Sequence, residues 1–153
     1  MFDPTFLHEL SQDAVYTHGN ATDLIISHII TNLTQTYATS DVAPRLTLQT
    51  ATTPENWVFN NAGGAMGAML ILHASITEYL IIFGTPLGTE GHTGRHTADD
   101  YFNILIGEQW AFLPGALEKE VCLSVFCSVH HSKWERILGI SCGLCSHVTS
   151  GYR

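Results

Sequence analysis

Residues 57–102 read WVFNNAGGAMGAMLILHASITEYLIIFGTPLGTEGHTGRHTADDYF, and between Ala65 and Phe83 the chain is almost continuously apolar. His73, Glu78 and the triplet Ser75-Ile76-Thr77 interrupt the run. A membrane helix needs roughly 20 apolar residues and loses about 2.5–3.5 kcal/mol to a mid-span acidic residue. The triplet also falls where a turn belongs. The run therefore predicts two buried strands, Met66 to Ala74 and Thr77 to Phe83, fenced by Gly63-Gly64 and by Gly84-Thr85-Pro86. At a period of two, Met69, Ile71 and His73 share one face of the first strand, and Tyr79, Ile81 and Phe83 share one face of the second. The opposite faces, with Leu70 and Leu72, then Leu80 and Ile82, are apolar too, which predicts a barrel wall covered by helices.

Those helices belong on the amino-terminal side. Asp3 as N-cap and Pro4 at the first helical position start one, and Phe6, Leu7, Leu10 and Ala14 recur at helical spacing before Gly19. Thr22 is expected to cap a second, in which Ile26, Ile29, Ile30, Leu33 and Tyr37 form one apolar stripe. Asn20 and Asn32 each begin an Asn-x-Thr triplet, too short a pattern to carry weight. Ser40 to Glu55, rich in Thr, Ser and Pro, reads as an irregular connection.

On the carboxyl side, TPLGTEGHTGRHTADD gathers turn residues and the titratable groups Glu90, His92, His96, Asp99 and Asp100 into one loop, the kind of segment where chemistry concentrates. Tyr101 to Trp110 then reads as a further strand. From Cys122 the composition changes: all four cysteines (Cys122, Cys127, Cys142, Cys145) and three of the six basic residues lie there, with Glu135 as the only acid. Cys142-x-x-Cys145 with His147 lacks partners at regular spacing and is not read as a zinc site.

The formal net charge of −8 argues against nucleic acid as a partner. No signal peptide or membrane anchor is expected within Met1 to Gly19, which carries Asp3, Glu9 and Asp13.

The segments NWVFNNAGGAMGAMLILHAS and TEYLIIFGTPLGTEGHTGRHTADDYF, with the later EKEV, resemble the core of the fungal C-8 sterol isomerases, a family that includes the sigma non-opioid receptors of animals. The likeness spans Asn56 to Val121, with a weaker stretch from Met1 to about Tyr37. It implies an α+β fold, amino-terminal helices followed by a cupin-like β-barrel, here incomplete. Residues 1–39 would be the helices, 40–55 the connection, 56–121 the partial barrel, and 122–153 a divergent tail, foreign to the fold and derived from an intron or a shifted frame. Relatives carry an amino-terminal anchor at the endoplasmic reticulum membrane, so this chain is expected to lack its anchor and to be truncated at both ends. A homotrimer is a further implication.

His92-x-x-x-His96 with Glu90 or Asp99 has the look of a metal set, but the alternating histidines of cupins are absent and the family reaction uses no metal or other cofactor. The activity implied is movement of a sterol ring double bond from delta-8 to delta-7. One alkene carbon takes a proton, a carbocation develops at C8, and the neighbouring carbon loses a proton. This calls for a carboxyl group kept neutral by burial and for negative charge or an aromatic face beside the cation. The expected catalytic residues are Glu90, His92 and Asp99, with Asp100 as substitute; the expected sterol-lining residues are Met69, Ile71, Tyr79, Ile81 and Phe83. His73 and Glu78 read as structural. The alternatives are a non-catalytic, receptor-like binder of cationic amphiphiles and an inactive fragment.

Overall fold

In the computed structural model the described residues are 2–38, 50, 52–86, 88–92, 98–111, 117–118, 120–123, 128–131 and 144–151. Two helices come first, α1 (Pro4–His18) and α2 (Thr22–Ala38). Asp3 caps α1 as expected, its Oδ1 accepting from the Thr5 amide at 2.9 Å with Pro4 opening the helix. The cap of α2 falls one residue earlier than expected. The Ala21 carbonyl accepts from the Leu24 and Ile25 amides, which makes Thr22 the first helical residue.

A single 3-10 turn (Pro54–Asn56) leads into β1 (Trp57–Ala62), β2 (Ala65–Ala74), β3 (Glu78–Gly84) and β4 (Ala98–Ile106). The turn between β2 and β3 is the Ser75-Ile76-Thr77 triplet, as the sequence predicts, closed by the Ser75 amide donating to the Glu78 carbonyl at 2.8 Å. The expected strand from Tyr101 to Trp110 is instead two pieces. Gly107, at φ 90, ends β4 and sends β5 (Glu108–Ala111) into a separate hairpin with β6 (Glu120–Leu123), a backbone angle that residues with a Cβ rarely adopt. β7 (Ser128–His131) and β8 (Leu144–Gly151) complete the described strands. The main sheet runs β1-β2-β3-β8-β4-β7, and every pairing in it is antiparallel.

The helices cover one face of this sheet. Leu7, Leu10, Ala14, Ile25, Ile26, Ile29, Ile30 and Leu33 form one apolar cluster with Leu70, Leu72, Leu80, Ile82 and Leu105. Burying each of its leucines and isoleucines is worth about 1.5–3 kcal/mol, so this layer holds helices and sheet together.

One sequence expectation fails inside β2. Pairing with β3 runs Met69 to Phe83, Leu70 to Ile82 and Ile71 to Ile81, but then slips, so that His73 rather than Leu72 stands opposite Leu80. The bulge turns His73 away from the face of Met69 and Ile71 and onto the helix side, where the Phe2 ring meets it edge-on at 5.4 Å.

Candidate functional site

Register assigns side chains to faces, because residues directly opposite across an antiparallel pair point the same way. Met69 faces with Phe83 and Ile71 with Ile81. Across β8, Tyr79 and Asp100 both stand opposite Thr149, Ile81 and Phe102 opposite His147, and Phe83 and Ile104 opposite Cys145. One sheet face therefore carries Met69, Ile71, Tyr79, Ile81 and Phe83 from β2 and β3, with Asp100, Phe102 and Ile104 from β4. The five expected lining residues share it. None of these residues belongs to the apolar cluster under the helices; Ile71 and Tyr79 are 37% and 36% exposed, whereas Ile81, Phe102 and Ile104 are 9%, 7% and 2% exposed. At the β4 end of this face Asp100 is 3% exposed.

The other face holds the second set of rows. Glu78 and Asp99 both stand opposite Ser150, and Leu80 and Tyr101 opposite Val148. The buried Glu78 has a structural contact, as expected: its Oε2 accepts from the Phe2 amide at 2.9 Å. Phe2 packs edge-on against Tyr37 at 5.0 Å, tying the start of α1, the end of α2 and the start of β3 into one corner. Burial there raises the Tyr37 phenol above its ordinary value; a hydrogen bond from the Asp3 backbone opposes the shift, and the negative charges of Asp3 and Glu78 add to it. On β4, Asn103 faces α1 through a 3.0 Å hydrogen bond with His8.

Asp99 and Asp100 are neighbours in sequence and opposites in space. Asp99 is half-buried in the row of Glu78, on the helix side, while Asp100 lies on the open face.

Glu90 and His92 are exposed and belong to a strap that crosses the β1–β2 turn. The Met66 amide donates to Thr89 Oγ1 at 2.7 Å, and the His92 amide donates to the Gly63 carbonyl at 3.0 Å. A Cβ at Gly63 would overlap the His92 carbonyl oxygen, and one at Gly91 would overlap the Ala65 nitrogen. The NAGG and EGH motifs are thus backbone meeting backbone, and glycine is what permits the approach. Gly67 does a different job. A Cβ there would meet the Phe83 ring at 2.5 Å, so its absence gives that ring its place on the open face.

His96 lies outside the described residues, as do Cys127 and Cys142. Among the described residues no three His, Cys, Asp or Glu side chains converge to hold a metal ion, and no helix is long and apolar enough to cross a membrane. Sequence reasoning ranked Asp100 below Asp99 and passed over Phe102 and Ile104. The signal was period two from Asp100, but the alternate set, Asp99, Tyr101, Asn103 and Leu105, is as mixed in character, so the pattern could not choose a face.

The profile of the family described as "ERG2 and Sigma1 receptor like protein" matches residues 1–142, which carries the likeness past Val121. A C-8 sterol isomerase of Pyricularia oryzae is 58% identical over 131 residues, covering 86% of this chain and 55% of that enzyme. The sigma non-opioid intracellular receptor 1 of Gallus gallus is 40% identical over 111 residues, 71% of this chain and 45% of the receptor. The chain spans about half the length of the curated relatives it matches. Among solved structures, an RmlC-like cupin from Shewanella frigidimarina superposes with a TM-score of 0.52 at 16% identity, covering 69% of this chain and 93% of that one. That likeness shows the fold, a cupin-like barrel, in agreement with the class expected from the sequence.

Proposed function

This chain belongs to the ERG2 and Sigma1 receptor like protein family, and from that membership we propose that its full-length protein is a C-8 sterol isomerase. The open sheet face would be one wall of the sterol chamber. Supporting the enzyme over the receptor is the higher identity to the Pyricularia oryzae isomerase, 58% against 40% for the Gallus gallus receptor. The single structural observation that carries the reading is the shared face: an apolar wall of Met69, Ile71, Ile81 and Phe83, an aromatic ring at Tyr79, and one buried carboxyl group, Asp100.

The chemistry follows from that set. Protonating a ring alkene needs an acid that is neutral when the sterol arrives, and burial disfavours the charged form of a carboxyl group. The proton passes from the acid to one alkene carbon, the cation develops at C8, and a base removes a proton from the adjacent carbon to leave the delta-7 bond. The carboxylate left behind and the Tyr79 ring face stabilise the cation electrostatically while apolar walls keep water from capturing it. We assign the acid role to Asp100. The sequence-based assignment to Glu90, His92 and Asp99 stands as the competing proposal, with Glu90 and His92 at the strap beside the β1–β2 turn and Asp99 in the Glu78 row.

The proposal extends to the endoplasmic reticulum membrane as the place of action and a sterol as substrate. The division into 1–39, 40–55, 56–121 and 122–153 is kept as a proposal too, with β7 and β8 of the last segment forming part of the main sheet. Incubating the full-length protein with a delta-8 sterol tests the function: delta-7 product is expected. Tight binding of a cationic amphiphile with no product at any sterol concentration would replace the enzyme reading with the receptor-like one.

A further inference from the structure

Away from the sheet, at the α1–α2 turn, we propose that His18 and His28 form a binding site for a divalent transition metal such as Zn2+, Ni2+ or Cu2+, with Asp13 orienting it. His18 Nε2 and His28 Nδ1 are 3.1 Å apart. Two imidazole nitrogens on one zinc ion, each about 2.0–2.1 Å from it, are separated by roughly 2.9–3.4 Å for bond angles from square to tetrahedral. The pair is therefore already at ligating distance.

The second observation concerns the far side of the His28 ring. Its Nε2 lies 3.1 Å from Asp13 Oδ2; in the tautomer that gives this N–H to the carboxylate, Nδ1 keeps a lone pair on the side of His18. A histidine that binds metal through one nitrogen while giving the other N–H to a carboxylate is the usual outer-shell arrangement of such sites. His18 is also the last residue of α1, where unsatisfied carbonyls favour a cation.

Access and rigidity both suit an exchangeable ion. The His28 side chain is 20% exposed and Asp13 67%, so a hydrated ion can reach them. The two rings, 5.2 Å apart between centroids, sit on helices fixed by the apolar cluster. Only two protein ligands are offered and water fills the rest, so the site differs from a closed four-ligand structural centre and from anything the isomerisation requires. Without metal, a 3.1 Å hydrogen bond joins the two nitrogens. With metal, His18 carries its proton on Nδ1 instead, and both facing lone pairs turn to the ion.

Calorimetric titration of the 153-residue chain with nickel or zinc chloride at neutral pH tests this. One saturable site is expected, lost in His18→Gln and in His28→Gln and retained in His92→Gln. Asp13→Asn should weaken it by about 10-fold, the low end for an outer-shell partner because this one is exposed. Affinity should also fall on acidification, since both ring nitrogens must be free of protons. Copper EPR of the unchanged chain should show splitting from two nitrogens, a readout that needs no variant. Binding of equal affinity and stoichiometry in His28→Gln, or a copper spectrum with no paired-nitrogen splitting, would overturn the proposal.

Discussion

Two faces of the same strands, β2 and β3, are equally rich in large apolar residues and end in different surroundings. Under the helices Leu70, Leu72, Leu80 and Ile82 are at most 1% exposed. On the opposite face Ile71 and Tyr79 keep more than a third of their surface in contact with solvent. Hydrophobicity alone does not separate them; the covering elements do. The closed face converts apolar area into stability, whereas the open face leaves apolar area at Ile71 and Tyr79 available to a ligand, with Ile81 and the β4 residues Asp100, Phe102 and Ile104 buried beside it. Substitutions on the first should change folding, and at Tyr79 and Asp100 on the second, chemistry.

The largest effect expected from this division concerns the aspartate pair. In a full-length relative, replacing the residue equivalent to Asp100 by Asn should cut delta-8 to delta-7 conversion by about 10²–10⁴-fold, the usual contribution of a positioned acid or base. The same change at Asp99, in the helix-side row, should leave turnover within about 10-fold. Steady-state turnover of both variants measures the difference, and the reverse order would dissolve the distinction between the faces as a guide to chemistry.

Next in size is the closed face itself. Leu80→Ala, at 1% exposure, should cost this chain about 2–5 kcal/mol through lost burial and a residual cavity. Tyr79→Ala, one residue away but 36% exposed, should cost less than about 1 kcal/mol. Equal losses in urea denaturation would mean that the open face is part of the core. A smaller effect belongs to the corner where the chain enters α1. Glu78→Ala removes the acceptor of the Phe2 amide and should cost about 1–3 kcal/mol for that unsatisfied donor, read from the same denaturation curves.

How much of this the sequence disclosed depends on how local the signal was. The helix start at Asp3-Pro4, the turn at Ser75-Ile76-Thr77 and the shared face of Met69, Ile71, Tyr79, Ile81 and Phe83 rest on residues within a few positions of one another, and they were legible. The side taken by His73 was not. A one-residue bulge opposite Leu80 reverses every later side chain of β2 without leaving a mark in composition. Nor could the faces taken by Asp99 and Asp100 be read, because they depend on pairing with β8, about fifty residues away. The glycines of NAGGAMG were visible as a motif, but their reasons are long-range: Gly63 makes room for the strap at His92, and Gly67 for the Phe83 ring.

The smallest expected effect comes from the closed side and appears only in alkaline solution. Burial raises the Tyr37 phenol above the ordinary 10.0, so the folded chain holds this proton more tightly than the unfolded chain does. A group of that kind lends stability that is fully present below 10.0 and is lost as pH rises through the raised folded value. Tyr37→Phe removes the titration while keeping the ring edge that Phe2 packs against. Its denaturation midpoint should therefore fall less steeply with pH above 10.0 than that of the unchanged chain. The difference between the two curves isolates this phenol from the other tyrosines and lysines, which titrate in both proteins. Parallel curves would mean that the corner joining Phe2, Tyr37 and Glu78 admits water, and the closed face would then be closed only along its leucines.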